Sequence, residues 1–269
     1  MRAGEELTRS QEAVFDELDV QFREGEYEKV EAGARAMAAA PRSHRSRGPA
    51  VDRLAGTMAV TTAIAHGHGG EVLAEVEAQI VDLERTVGAW RMLLVMARAN
   101  RTAILVGQKR YAEAEAEAGV VLRESGRLAR LDGREKAELS ALAGLAKALC
   151  GQGRYEEAHA IAAGNLPRAQ GRTAFALRSA LVHSLSGLGR HEEALAEAGR
   201  FPSDGSRAES GSPEIATATA LYGLGRRSEA EAMARQALAL CEQRLHPDHP
   251  RTEEARALLR RITAGDPPA

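Results

Sequence analysis

Three sets of side chains in this 269-residue sequence have the types that bind metals or do covalent chemistry. His66 and His68 flank a glycine in Ala65-His66-Gly67-His68-Gly69-Gly70-Glu71-Val72. His246, Asp248 and His249 lie between prolines in Leu245-His246-Pro247-Asp248-His249-Pro250. Cys150 and Cys241 are the two thiols. A zinc site asks for several such ligands at recognised spacing, and neither histidine pair has a second pair so placed. The glycines after His66 lack the Lys-Ser/Thr of a phosphate loop. Pro247 and Pro250 fix the second histidine group as a loop that leads into a helix. The cysteines have no Cys-x-x-Cys partner and read as buried free thiols. No catalytic residue, cofactor or metal site is therefore expected. The sequence also lacks a Gly-x-Ser-x-Gly elbow, a His-Glu-x-x-His helix and a strand followed by Gly-x-Gly-x-x-Gly, so a non-enzyme is expected.

What must position these groups is a short corner that recurs. Gly153-Arg154-Tyr155-Glu156-Glu157-Ala158 returns as Gly189-Arg190-His191-Glu192-Glu193-Ala194 and as Gly225-Arg226-Arg227-Ser228-Glu229-Ala230. Related corners stand at Gly25-Glu26-Tyr27-Glu28-Lys29-Val30 and, with lysine in place of glycine, at Lys109-Arg110-Tyr111-Ala112-Glu113-Ala114. In each copy the first residue ends one helix and the acidic residues begin the next, where they favour the helix dipole by a few tenths to about 1 kcal/mol. The steps between corners are 36, 36, 44 and 84 residues, the last being twice 42, which places a worn corner at Gly67. Six helix pairs at this period are the pattern of a repeat array.

On these residues the chain resembles the tetratricopeptide repeat family. The aromatic position after the corner is filled by Tyr27, Tyr111 and Tyr155, with Gly69, His191 and Arg227 as departures. The small position holds Ala114, Ala158, Ala194 and Ala230, with Val30 and Val72 in the first two copies. Near the end, His249-Pro250-Arg251-Thr252 is similar to the helix start of the longer, kinesin-light-chain type of repeat. The resemblance implies an all-α solenoid of about six helix-turn-helix repeats, spanning 5–40, 50–87, 89–124, 134–164, 172–199 and 213–245, with a capping helix over 250–262. The stretch 1–269 then forms one superhelical array.

Composition agrees with stacked thin helices. Aromatics make up 3% of the chain and alanine is abundant, so helices must approach closely rather than pack around bulky anchors. The net charge of −2, with both signs interleaved, argues against a nucleic-acid or membrane-surface partner. The first residues lack the charged-then-apolar order of a leader and no apolar run approaches a membrane span, so a cytoplasmic location is expected. The Arg-rich stretch 41–49 reads as a solvated linker, and 201–213, dense in turn residues, as a flexible insertion. Arg251, Glu253, Glu254, Arg256, Arg260 and Arg261 are expected on the wet face of the cap.

The resemblance also implies a concave groove lined by the first helix of each pair. Counting back from the corners assigns to it Phe15, Asp19, Phe22 and Arg23 in copy one, Thr57 and Thr61 in copy two, and Met96, Ala99 and Ala103 in copy three. Copy four gives Ser140, Lys147 and Cys150, copy five Ser179, His183 and Ser186, and copy six Thr219 and Tyr222. Asn100 and Asn165, the chain's two asparagines, do not fall where chaperone-binding members clamp a C-terminal carboxylate. Lys147 and His183, on neighbouring copies, are placed to face one another and receive an acidic peptide or phosphate. The function implied is a protein- or peptide-binding scaffold, with homo-oligomer formation open. Two readings stand beside it: a ligand-sensing regulatory module, as in the sensory halves of bacterial transcription regulators and signalling ATPases, and an accessory subunit of an enzyme with chemistry at His66/His68.

Overall fold

The computed structural model describes residues 7–39, 49–86, 90–128, 134–202 and 207–266. The linker expected at 41–49 falls outside the described residues except for Pro49, as do 203–206 of the stretch expected to be a loose insertion. Thirteen α-helices and no strand occur among the described residues. They pair as α1 (Arg9–Glu24) with α2 (Tyr27–Ala39), α3 (Pro49–His66) with α4 (Leu73–Glu84), and α5 (Arg91–Gly107) with α6 (Tyr111–Arg127). Then come α7 (Arg134–Gly151) with α8 (Tyr155–Asn165), α9 (Gly171–Gly187) with α10 (His191–Ala198), and α11 (Ser212–Gly223) with α12 (Arg227–Arg244). The closing helix is α13 (Pro250–Ala264). Successive helices pack on one another, and the first helices also pack side by side, α3 on α5, α5 on α7, α7 on α9 and α9 on α11, as a solenoid requires.

The corners are built alike because the same backbone problem is solved in each. Gly153, Gly189 and Gly225 adopt φ of 75°, 72° and 73°. The next amide then turns back to the helix it has left: Arg154 N–H donates to Leu149 O, Arg190 to Leu185 O and Arg226 to Leu221 O, each at 2.9 Å. This terminates the first helix by satisfying a carbonyl that has no helical partner. Lys109 makes the same turn at φ 60°, with Arg110 N–H to Leu105 O at 2.9 Å, so lysine takes a left-handed conformation in glycine's place. The arginine after each corner forks onto the glutamate three residues on. Arg154–Glu157, Arg190–Glu193 and Arg226–Glu229 all have contacts of 2.6–2.8 Å, which adds a bidentate clasp to the expected dipole role of those glutamates.

Packing between repeats follows a second rule. The residue two after each corner lies on a glycine near the end of the next first helix: Tyr111 on Gly151, Tyr155 on Gly187 and His191 on Gly223. A Cβ on any of these glycines would run into the ring, so the ring fills the space that a side chain would otherwise claim. The four alanines at the small position, Ala114, Ala158, Ala194 and Ala230, are each 0% exposed. Ala158→Leu and Ala194→Leu should each overpack a helix contact and cost about 1–3 kcal/mol. Thermal melting checks this, and unchanged transitions in both variants would contradict the packing.

The second corner is the worn one, and the far end of the chain completes it. Gly69 has no ring to offer Gly107, and the atom that meets Gly107 is instead Cγ of Pro250, 3.3 Å from a Cβ built there. His249 packs on Gly67, and His246 N–H donates to His66 O at 3.4 Å. Arg207 holds the same seam from the other side. Its guanidinium forks onto Glu28 at 2.9 and 3.0 Å, donates to Gly25 O at 3.3 Å and reaches Arg244 O at 2.6 Å. Tyr27, Ala65 and Ala208 bury one another beneath it. The superhelix therefore brings its last repeat against its first two. Within the stretch 201–213, Ala208, Glu209, Ser210 and Ser212 are buried, and Pro213 stands in the first turn of α11 as its ring demands.

Candidate functional site

Lys147 on α7 is half-buried and His183 on α9 is exposed. Glu254 of α13 acts electrostatically on both, and also on Tyr111. Burial pushes the Lys147 ammonium down, and the positive Arg251 and Arg172 nearby push it further, with Glu254 opposing them. Burial pushes His183 down, with Glu254 opposing and Lys147 adding to the effect. Arg172 of α9 pairs with Glu209 at 3.4 Å and lies 5.4 Å from the ring centre of Phe22 on α1, a contact that spans the array. Three cations, Lys147, Arg172 and Arg251, thus share this region with two carboxylates, Glu209 and Glu254.

The capping helix corrects one expectation. Arg251 is not on the wet face: it is half-buried and donates to the carbonyls of Ala208 and, at 3.2 Å, Ser210. The loop before α13 is drawn into the seam, so the first turn of the helix points inward. Glu253, further round, is exposed and pairs with Arg256 at 3.0 Å and Arg260 at 2.7 Å, as the wet face predicts. His249 caps α13 by accepting the amide of Arg251 on Nδ1 at 3.0 Å.

The other groove assignments divide by helix phase. Asp19 and Arg23 are exposed and pair with each other along α1, while Phe22 is half-buried against Tyr27, with ring centres 5.4 Å apart. Thr61 is half-buried and accepts from Asn100 Nδ2 at 3.0 Å, which ties α3 to α5. Ser179 is half-buried on α9. Ser186 and Tyr222 are packed between helices, at 4% and 7% exposure, and are not presented to a ligand. Tyr222 spends its hydroxyl on the carbonyls of Arg261 and Asp266, next to the end of α13. Both cysteines are free and buried, and burial pushes the Cys150 thiol up to about 12 and that of Cys241 up to about 11.

A second constellation forms at the worn corner. Glu31, His66 and His68 offer ligand atoms that all lie within 4.8 Å of one another. His68 Nε2 is 2.9 Å from Glu31 Oε2, and His66 Nε2 is 3.1 Å from Glu28 Oε1. Burial pushes His66 down while Glu28 pulls it up. Sequence spacing could not find this group, because its members come from α2, the end of α3 and the turn that follows.

The architecture is that of an all-α solenoid of tetratricopeptide-type helical hairpins. Comparison agrees: the tetratricopeptide repeat family model matches residues 139–169, in the fourth hairpin, and 218–251, from the sixth hairpin into the first turn of α13. No curated protein matches the chain. Repeats of this family generally mediate protein–protein interaction. No helix among the described residues is long and apolar enough to cross a membrane.

Proposed function

We propose that this protein is a scaffold that binds an acidic peptide segment of a partner on its inner wall, around Lys147 and His183. One observation carries the reading: Lys147 is half-buried and makes no ion pair among the described residues, beside His183 and two further cations. Its ammonium and the imidazole supply donors to a carboxylate, while Glu254 is the internal group with which that carboxylate competes. Ser140, one turn-pair earlier on α7, and Met96 and Ala103 on α5 are exposed and extend the same wall. The likeness of the α13 start to the kinesin-light-chain type of repeat fits a peptide-binding role.

The test is co-purification from the native cell with mass spectrometry, comparing the wild type with Lys147→Ala/His183→Ala. A partner bound here should be recovered about tenfold less by the variant, the equivalent of about 1.4 kcal/mol. Equal recovery of every partner would remove this part of the wall from the reading.

A further inference from the structure

We propose that Glu31, His66, His68 and His246 form a site for a divalent transition metal of the zinc class, which fastens the last repeat of the array to the first two. The three imidazoles meet in pairs, with ring centres 5.1, 5.2 and 5.3 Å apart for His66–His68, His66–His246 and His68–His246. Their planes are inclined by 81°, 77° and 53°, so the rings meet edge to face rather than stack. In a tetrahedral shell with zinc–nitrogen bonds of about 2.0–2.1 Å, ring centres about 1.1 Å further out stand about 5.2 Å apart. The observed triangle of ring centres has that size; the ligand atoms of Glu31, His66 and His68 already converge, and His246 joins them by turning its ring.

The chemistry of the donors also fits. Two or three imidazoles with one carboxylate are a ligand set suited to zinc, and no thiolate is needed. Glu31, His66 and His68 already hold ligand atoms within 4.8 Å of one another, and small rotamer changes bring such atoms to the spacing of a bound shell, about 3.3 Å. Glu28 orients the His66 ring from outside, and Arg207 orients Glu28 in turn, as outer partners of metal-bound histidines do. His68 Nδ1 is buried with no hydrogen-bond partner, a polar atom whose desolvation the protein alone does not offset. The ligand side chains are shielded, at 14% exposure for Glu31 and His68 and 11% for His66, while His246 at 30% marks the open side through which an ion enters. His246 Nδ1 is engaged by the Asp248 amide at 3.3 Å, which leaves Nε2 as its ligand atom.

The experiment is titration of the chelator-stripped full chain with zinc chloride by calorimetry, and with cobalt chloride by visible absorption. One zinc per chain and a four-coordinate cobalt spectrum are expected, with His68→Ala weakening zinc at least about tenfold. His246→Ala should weaken it about as much and abolish the rise in melting temperature that zinc gives the wild type. Circular dichroism confirms folding. His246 is on a partly exposed loop, so its variant keeps the test valid if changes at His66 or His68 prevent folding. Absence of stoichiometric zinc binding, or wild-type affinity in both variants, overturns the site. Loss in His68→Ala with full retention in His246→Ala overturns the fastening of the two ends. Peptide binding at Lys147 and His183 is read separately and does not enter these outcomes.

Discussion

Gly67→Ala should lower stability by about 3 kcal/mol, whereas Gly153→Ala should cost about 1 kcal/mol, although both glycines have positive φ. Gly153, at φ 75°, has nothing within 4 Å of where a Cβ would stand, so alanine there meets the left-handed backbone penalty alone. Gly67 adopts φ 116°, further from what an L-residue tolerates, and its Cβ would lie 2.7 Å from both Cβ and Cγ of His249. These are the root of the side chain, which cannot swing aside without moving the loop that carries His246, His249 and Pro250. The variant therefore faces backbone strain and a displaced seam together. Paired thermal melts of the two variants decide the matter, and equal shifts would show that the seam at Gly67 contributes nothing.

Acid should weaken the protein over the range in which free histidine titrates. Burial pushes His249 down to about 3, with positive Arg251, Lys147 and Arg172 adding to the effect. In the unfolded chain its value is the ordinary 6.5. Between these values the unfolded chain binds a proton that the folded chain refuses, so stability is full above pH 6.5 and falls as pH drops toward 3. By pH 5 the loss is about 2 kcal/mol from this residue. The structural reason is specific: Nδ1 of His249 accepts the Arg251 amide and can do so only while unprotonated. His249→Asn retains an N-cap acceptor without a titrating ring and should flatten the stability profile between pH 7 and pH 5. Denaturant melts at both values test it, and an equally steep decline in the variant would rule out His249 as the cause.

Much of the helical frame was legible because its signals are local. A glycine that ends a helix, an arginine after it and a glutamate three residues on lie within a single corner, and the steps between corners counted the hairpins. Even the exception was readable, since Lys109 sits in the same register as the glycines and takes the same conformation. The small residues at Ala158 and Ala194 were likewise evident from periodicity, and both are fully enclosed. The glycines on which the rings rest, Gly151, Gly187 and Gly223, each lie two positions before a corner, and no pattern within one repeat shows that a ring from the preceding repeat covers them.

The seam was not legible. Glu28 and Arg207 are 179 residues apart, and their meeting depends on a small rotation repeated at every hairpin. No pattern within one repeat records that sum. For the same reason Arg251 read as a surface residue and His66 and His68 as a pair lacking further ligands. Helix phase, judged by counting from the corners, placed Ser186 and Tyr222 on a face that the packed helices in fact cover.

The Arg207 latch also changes how damage spreads. In an open stack, losing a terminal hairpin removes one nearest-neighbour interface and leaves the other end untouched. Here trimming either terminus uncovers surface on the opposite one, so the molecule should melt as a loop that opens everywhere once it opens anywhere. Inserting another hairpin would carry Arg244 and His246 away from Gly25 and His66, so the latch closes only at this number of repeats.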